Sequence, residues 1–204
     1  MMARALRLVR FDLKNLIRDP MLVLVSVLPI VIATVFRFVM PWANELLAEY
    51  VTLSDYFGFV TGFLLLTAPM MYGWVLGFLF LDDKDEQILG AVAVTPLGTQ
   101  GFLAYRLTLP VVVSFLLCFV VAEIAGLVVI DPVVLTVIAL LAALEAPAMA
   151  LLLSTFARNK VEGMAYGKVL SILNIAPFAA LFVPMPLQLL AGIVPQYWPI
   201  ALLL

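Results

Sequence analysis

Five long apolar segments follow one another along the chain, each close to the length that a helix needs to cross a bilayer. They run roughly over residues 21–40, 56–81, 107–130, 132–157 and 169–183. A helix rises about 1.5 Å per residue, so about 20 apolar residues cross the hydrocarbon core. The pattern predicts an all-α, polytopic integral membrane protein with five to six transmembrane helices, in a single membrane domain that takes up residues 1–204.

The end of the sequence departs from this regular pattern. From Val169 to Leu204 the chain has 36 residues without a charge, which as one straight helix would be about 54 Å long and would exceed the bilayer. Prolines at positions 184, 186, 195 and 199 interrupt it. Because proline breaks or kinks a helix, we expect an outer-face break over residues 184–198. Residues 199–204 then begin a possible sixth span, or they belong to a short re-entrant piece.

The segment before the first span, residues 1–19, has the pattern of an amphipathic helix. Its five cations fall within an arc of about 120°, opposite a row of apolar side chains. The cations are Arg4, Arg7, Arg10, Lys14 and Arg18. Such a helix lies in the membrane interface, either as a topogenic anchor alone or as part of the working machinery.

Positive charge is distributed unevenly over the connections between the spans. Of the eleven Lys and Arg residues, five lie in residues 1–19, two in residues 82–106 and three in residues 158–168. The alternate connections contain none, so the positive-inside rule predicts a cytoplasmic N-terminus. We expect a multi-pass protein of a prokaryotic cell membrane. The eleventh cation, Arg37, lies near the outer end of the first span, and we expect its side chain to extend towards the lipid headgroups.

Composition excludes several classes of protein. Hydrophobic residues make up 66% of the chain and charged residues 12%, which a water-soluble globule could not accommodate. Net charge is −2, so nucleic acid is not an expected partner, whereas membrane lipid is. With no histidine and one cysteine, Cys118, neither a metal site nor a disulfide scaffold is expected.

The stretch from Gly163 to Val169 superficially resembles a phosphate-binding loop. It has three residues between its glycines instead of four, and Val169 follows Lys168 where the motif needs Ser or Thr. We therefore expect no nucleotide hydrolysis and no cofactor on this chain. The spacing instead matches small-residue helix packing, as do Gly58 with Gly62 and Gly73 with Gly77, either within the chain or at a contact between two chains.

The connection between the second and third spans opens with four acidic residues in five positions, Asp82, Asp83, Asp85 and Glu86. Carboxylates suit a helix N-terminus, and Ile88, Leu89 and Val92 then form a short apolar stripe that ends at Pro96. The pattern predicts a short amphipathic cytoplasmic helix. It is either a solvated loop along the bilayer or a contact for a protein partner, and four carboxylates beside an anionic leaflet favour the partner.

These features together resemble type-2 ABC transporter permeases, including drug and antibiotic exporters. The resemblance covers most of the chain. It rests on Arg18-Asp19-Pro20 before a proline-bearing first span, the acidic segment ending in Thr95-Pro96-Leu97, the stretch from Ala157 through Gly163 to Pro177, and the later Pro184, Pro195 and Tyr197.

The resemblance implies a subunit of a larger exporter. Two permease subunits, identical or different, would form the membrane part of a multidrug or antibiotic-resistance transporter. ATP and magnesium would be bound and used by separate ABC ATPase subunits. The acidic segment would be the coupling helix that contacts the ATPase. Its residues are Asp85, Glu86, Ile88, Leu89, Val92, Thr95 and Pro96.

The resemblance also implies a substrate path lined mainly by the second and fifth spans. Polarizable, aromatic and hydroxyl side chains there suit an amphipathic aromatic cargo, although the same residue types also pack ordinary membrane helices. The candidate residues are Thr67, Met70, Met71, Tyr72, Trp74, Glu145, Ser171 and Asn174.

Glu145 is the most unusual of these residues, because a carboxylate near the middle of a span is costly. It could bind cationic cargo or a proton, or it could accept a hydrogen bond beside the kink at Pro147. Two alternatives to an ABC permease remain at this point. One is a proton-coupled secondary carrier that uses Glu145, and the other is a membrane enzyme or assembly factor without transport activity.

Overall fold

The computed structural model describes residues 20–94 and 98–204, apart from the side chain of Leu89. The predicted amphipathic helix over residues 1–19, the side chain of Leu89, and Thr95 and Pro96 of the predicted coupling helix lie outside the described residues. Within the described residues the fold is all-α and contains no strand. The predicted fold class is therefore confirmed.

Ten α-helices form the described part of the chain. They are α1 (Pro20–Leu46), α2 (Phe57–Asp85), α3 (Ile88–Ala93), α4 (Gly98–Ala125), α5 (Pro132–Ala143), α6 (Glu145–Phe156), α7 (Lys160–Leu170), α8 (Ala179–Phe182), α9 (Met185–Ala191) and α10 (Tyr197–Ala201). Two 3₁₀ segments, Leu53–Tyr56 and Ser171–Phe178, precede α2 and join α7 to α8.

Five stretches of helix are long and apolar enough to cross a membrane, as predicted. They are Pro20–Leu46, Leu53–Asp85, Gly98–Ala125, Pro132–Phe156 and Lys160–Phe182. The third and fifth begin nine residues earlier than the apolar segments do, because helix continues through the polar residues that border the membrane. The fifth begins at a cap in which Asn159 accepts the Glu162 N–H and Glu162 accepts the Arg158 N–H.

The fourth span is interrupted at Leu144, where α5 ends and α6 begins. Pro147 has no backbone N–H, so the carbonyl of Ala143 one turn earlier receives no bond from it, and the ring crowds that carbonyl. The next bond, from the Ala148 N–H to the Leu144 carbonyl, is long at 3.4 Å. The break places Glu145 in the first turn of α6, near the middle of the span.

Helix α2 is the centre of the structure and packs against α1, α4 and α6. Its closest neighbour is α6. A Cβ atom added to Gly73 would lie 3.0 Å from the Ala146 carbonyl oxygen, and one added to Gly77 would lie 3.1 Å from the Leu153 Cβ. Small side chains let these two helices approach closely.

The other two small-residue pairs also pack within the chain. Gly163 and Gly167 on α7 lie against Phe78, Leu81 and Trp74 of α2, and Gly58 and Gly62 lie against Leu203 and Ile200. The sequence left open whether the three glycine pairs pack within the chain or at a contact between two chains. The structure supports packing within the chain for all three pairs.

The two ends of the bundle differ in charge. We call the end formed by residues 82–94, 98–106 and 154–168 the charged end, because five of the six described cations lie there. At the opposite end, Arg37 donates hydrogen bonds from Nη1 to the carbonyl oxygens of Glu123 (3.3 Å) and Ile124 (2.8 Å). Arg37 thus contacts the last turn of α4, where unpaired carbonyls attract a cation. That its exposed side chain also extends towards the headgroups stays a prediction.

Residues 184–204 turn back into the bundle from the opposite end. The Gln188 amide donates to the carbonyls of Ala180 and Val183, and the Tyr197 hydroxyl donates to Gln188 Oε1. Gln196 reaches the level of Glu145, and α10 then runs outwards along α2 past Gly62 and Gly58.

Candidate functional site

The acidic segment is held to three neighbouring helices by side chains at the charged end. Asp83, whose side chain is 5% exposed, forms an ion pair of 3.2 Å with Arg106 of α4. Asp82 forms a more exposed pair of 2.8 Å with Lys160 of α7. Lys84 donates to the carbonyl oxygens of Ser154 and Ala157 at the end of α6. The end of α2 is therefore linked to α4, α6 and α7.

Arg106 is itself positioned by aromatic rings. Its guanidinium carbon lies 5.3 Å from the ring centroid of Phe102 and 6.0 Å from that of Phe80. A guanidinium above an aromatic face is attracted by the ring electrons. The pair of the buried Asp83 and the partly buried Arg106 therefore has a defined position between α2 and α4.

The four acids do not open the short helix, and this part of the sequence-based prediction was wrong. Asp82, Asp83 and Asp85 belong to the last turn of α2, and Glu86 follows it. Helix α3 begins only after Gln87, which adopts a left-handed conformation with φ of 54° and provides no side-chain cap. The apolar second span continues as one helix into the acidic run, because nothing before Glu86 breaks it.

The predicted coupling residues within the described part of the chain lie together at the charged end. Asp85 and Glu86 are exposed, while Ile88 and Val92 on α3 are half-buried. Helix α3 packs against α2 and α4. The arrangement presents two carboxylates on the surface and attaches the short helix directly to two membrane spans.

The predicted substrate-path residues do not form one site in a single chain. Thr67 lines an apolar groove of about 330 Å³ between α1 and α2, and its hydroxyl bonds to the Leu64 carbonyl of its own helix. Trp74 and Ser171 line a second groove of about 380 Å³ between α2 and the fifth span. Thr67, Met70, Met71 and Trp74 are all partly exposed on α2, at helical spacing along one stripe.

Tyr72 and Asn174 belong to neither groove. Tyr72 is fully buried, and its hydroxyl bonds to Ser26 of α1, which in turn donates to the Leu22 carbonyl. Its role is to join α1 to α2. Asn174 lies in the 3₁₀ segment of the fifth span, and its Oδ1 atom is buried without a hydrogen-bond partner in the described part of the chain.

Glu145 lines a small cavity near the middle of the span. The sequence pointed to Glu145 but not to the cavity. Its side chain is 2% exposed, and within the described residues neither carboxylate oxygen has a hydrogen-bond partner. The cavity, of about 40 Å³, is also lined by Gln196, which belongs to the stretch of residues 184–204 that turns back into the bundle. The sequence offered one signal for Gln196: it is a polar residue between Pro195 and Pro199, in a stretch that has no charged residue.

Metal-binding clusters of three or more Cys, Asp or Glu residues do not occur in residues 20–94 and 98–204. Cys118 is buried in the core, and its thiol donates to the Leu65 carbonyl.

Comparison with known proteins gives a consistent set of relatives. Residues 12–204 match a family model described as "Fluoroquinolones export permease protein Rv2686c-like". Fluoroquinolones export permease protein Rv2686c of Mycobacterium tuberculosis strain H37Rv is 32% identical over 196 residues, which cover 93% of this chain and 77% of the relative. The protein named MT2760 in strain CDC 1551 has the same identity and coverage. No solved structure matches the chain significantly.

Proposed function

The chain belongs to the Rv2686c-like family of fluoroquinolones export permease proteins, and on this premise we propose that it is the membrane subunit of an ATP-binding cassette exporter for amphipathic aromatic drugs of the fluoroquinolone class. Five membrane spans supply the permease, and ATP with magnesium is bound and hydrolysed by a separate ATPase subunit. A second permease subunit, identical or homologous, completes the membrane part. The N-terminus and the charged end face the cytoplasm.

The single observation that carries this proposal is the link between the exposed acidic turn and the spans. Asp85 and Glu86 offer charge to a partner, and α3 offers a short partly apolar helix beside them. The contacts of Asp82, Asp83 and Lys84 then transmit a displacement of that turn to α4, α6 and α7. A movement of the ATPase would thus change the arrangement of several spans at once.

The drug path in this proposal follows the partly exposed stripe of α2. Phe63, Thr67 and Trp74 lie along it, and the grooves on either side are apolar apart from single hydroxyl or ammonium groups. Such surfaces accept flat aromatic molecules without fixed hydrogen-bond geometry. A second subunit covering this stripe would enclose the path.

A proton-coupled carrier is not favoured, because the relatives that match over most of the chain are named export permeases. Carrier-type export would persist without ATP and would collapse with the proton gradient, whereas the ABC proposal requires the reverse.

The test is purification of the tagged protein in mild detergent from cells that express its own ATPase partner, followed by measurement of co-purified ATPase and of drug-stimulated ATP hydrolysis. Glu86→Lys should lower the recovered ATPase by about tenfold, since one reversed charge at a contact costs on the order of 1–2 kcal/mol. Asp55→Lys is the matched control, because Asp55 is also an exposed acid but lies at the opposite end. Recovery of no ATPase with the unaltered chain would refute the proposal.

A further inference from the structure

Two exposed side chains of opposite charge, Arg37 and Glu123, are neighbours at the end of the bundle opposite the charged end. Arg37 of α1 donates from Nη1 to the backbone carbonyls of Glu123 and Ile124 on α4. The Arg37 guanidinium and the Glu123 carboxylate nevertheless form no ion pair with each other, and neither has an ionic partner among the residues that the structure describes. Both charges are therefore available to a ligand that carries an anion and a cation.

Arg37 retains N–H groups that can bind an anion. A guanidinium carries five N–H groups, and both bonds to α4 come from Nη1, which leaves those of Nε and Nη2. Guanidinium groups bind phosphate oxygens through short, charge-assisted hydrogen bonds. Because the two carbonyls hold the guanidinium against the end of α4, a phosphate would be bound at a defined position.

A pocket of about 320 Å³ lies beside these two charges. Its lining residues are Ala122, Glu123, Gly126, residues 128–130 and Leu135. Arg37 borders the pocket at Gly126, since its Nη1 would lie 3.0 Å from a Cβ atom added there. Residues 127–131 belong to no helix, so their peptide groups add polar surface to that of Glu123. The pocket therefore combines polar and apolar walls.

Exposed apolar side chains continue from this pocket along α4 and α5 towards the charged end. Val112, Leu116 and Val120 of α4 follow one another at helical spacing and are 48%, 57% and 40% exposed. Val133 and Val137 of α5 are exposed as well. A lipid whose headgroup is bound at the end of a span extends its acyl chains in this direction. The pocket shares no lining residue with the two grooves along α2 that we assign to the drug.

We infer that this pocket binds the headgroup of phosphatidylethanolamine, with the phosphate on Arg37 and the ammonium on Glu123. A primary ammonium has three N–H donors for a carboxylate, whereas the quaternary ammonium of phosphatidylcholine has none. Phosphatidylglycerol has no cation for Glu123. The bound lipid would join α1 to α4 at this end of the bundle. The site goes beyond the proposed export function and does not depend on it.

The test is native mass spectrometry of the full chain, purified in detergent and titrated with the three phospholipids as dioleoyl derivatives. We expect phosphatidylethanolamine to bind about tenfold more tightly than phosphatidylcholine, and Glu123→Gln to remove most of this preference, as for the loss of one charge-assisted contact. Arg37→Met should weaken all three lipids, because each has a phosphate. Glu49→Gln is the matched control, since Glu49 is an exposed acid of the same end that does not line the pocket, and it should keep the preference.

Equal binding of phosphatidylethanolamine and phosphatidylcholine by the unaltered chain would overturn the inference. A preference that persists in Glu123→Gln would do the same, because the ammonium would then be bound elsewhere. Should Glu123→Gln not be recovered in folded form, the unaltered chain decides with the mono- and dimethylated ethanolamine lipids, whose affinity should fall with each lost N–H. A series without such a fall contradicts the assignment. Displacement of the bound lipid by ciprofloxacin, itself a zwitterion, would assign the pocket to the drug and would also overturn it.

Discussion

Gly73 and Gly77 on α2 allow a close contact with α6. A Cβ at Gly73 would lie 2.8 Å from the Met149 Cβ and 3.0 Å from the Ala146 carbonyl oxygen. Side chains in a bilayer gain little from apolar burial, so close backbone approach and dispersion hold such helices together. A methyl group at this position has to push the two backbones apart, because neither neighbouring atom can rotate away.

Gly73→Ala should therefore destabilise the protein, by about 1–3 kcal/mol as for other overpacked sites. Gly90→Ala is the matched control, because Gly90 also lies in a helix but has no atom within 4 Å of the added Cβ. Alanine is the better helix former, so this control should be neutral or slightly stabilising. Thermal unfolding of each variant in detergent measures the difference. Equal melting temperatures would show that α2 and α6 do not approach as closely as described.

Arg37 and Gly126 depend on each other at the opposite end. Gly126 follows α4 with φ of 56°, a left-handed conformation that costs an L-residue about 1 kcal/mol. Arg37 Nη1 would lie only 3.0 Å from a Cβ at this position. A side chain there would displace the guanidinium from the two carbonyls that it caps.

Gly126→Ala should consequently cost more than Gly98→Ala. Both glycines have a positive φ, 56° and 63°, but a Cβ at Gly98 would meet no atom within 4 Å. Backbone strain lowers the free energy of unfolding in both variants. The additional loss in Gly126→Ala, which we expect to be about 1 kcal/mol, therefore reports the loss of the Arg37 cap. The measurement is again thermal unfolding in detergent. In an Arg37→Met background this additional loss should disappear, and its persistence there would contradict the assignment to Arg37.

At the scale of the elements, two ion pairs of unequal burial join three helices at the charged end, α2, α4 and α7. Asp83 and Arg106 are largely buried, whereas Asp82 and Lys160 have side chains that are 36% and 55% exposed. Breaking a buried pair leaves an uncompensated charge, but an exposed pair is replaced by water and ions. The adjacent residues Asp82 and Asp83 should therefore contribute unequally to the stability of the protein.

Asp83→Asn should lower stability by about 1–3 kcal/mol, because it leaves the Arg106 guanidinium partly buried and unpaired. Asp82→Asn, the same change one residue earlier, should cost less than about 1 kcal/mol and should lose even that in high salt. Unfolding curves of the two variants at low and at high ionic strength measure these losses and their dependence on salt. Equal losses for the two variants would contradict the difference in burial.

The element boundaries show what a sequence pattern can predict and what it cannot. The length of the apolar segments identified the five spans, because each segment must be long enough to cross the bilayer by itself. It did not place the acids in the last turn of α2, because a helix continues through polar residues until a residue such as Gln87 turns the backbone. The break at Leu144 was signalled by Pro147, whose effect is local.

The site could be predicted only in part, for a physical reason that belongs to the whole molecule. Glu145 stood out because a single residue in an apolar span is visible in the sequence. Gln196, which lines the same cavity, is 51 positions away, and the two residues come near each other only because residues 184–204 turn back into the bundle. Contacts of this kind depend on how the spans pack, which no local pattern encodes.

Orientation in the membrane is the remaining property of the whole molecule. Five of the six described cations lie at the charged end and only Arg37 lies at the other, so the charged end should face the cytoplasm. Single-cysteine variants test this in a Cys118→Ala background, where no other thiol remains. Glu49→Cys and Glu86→Cys make the same change at exposed acids of opposite ends.

A membrane-impermeant maleimide should label Glu49→Cys on intact cells and Glu86→Cys only after the membrane is permeabilised. The difference should approach all or none, since a charged reagent does not cross a bilayer on the timescale of labelling. Labelling of Glu86→Cys on intact cells would place the acidic turn outside, where no ATP and no ATPase subunit could reach it. The exposed carboxylates of Asp85 and Glu86 could then have no part in coupling, and α3 would have to serve another partner.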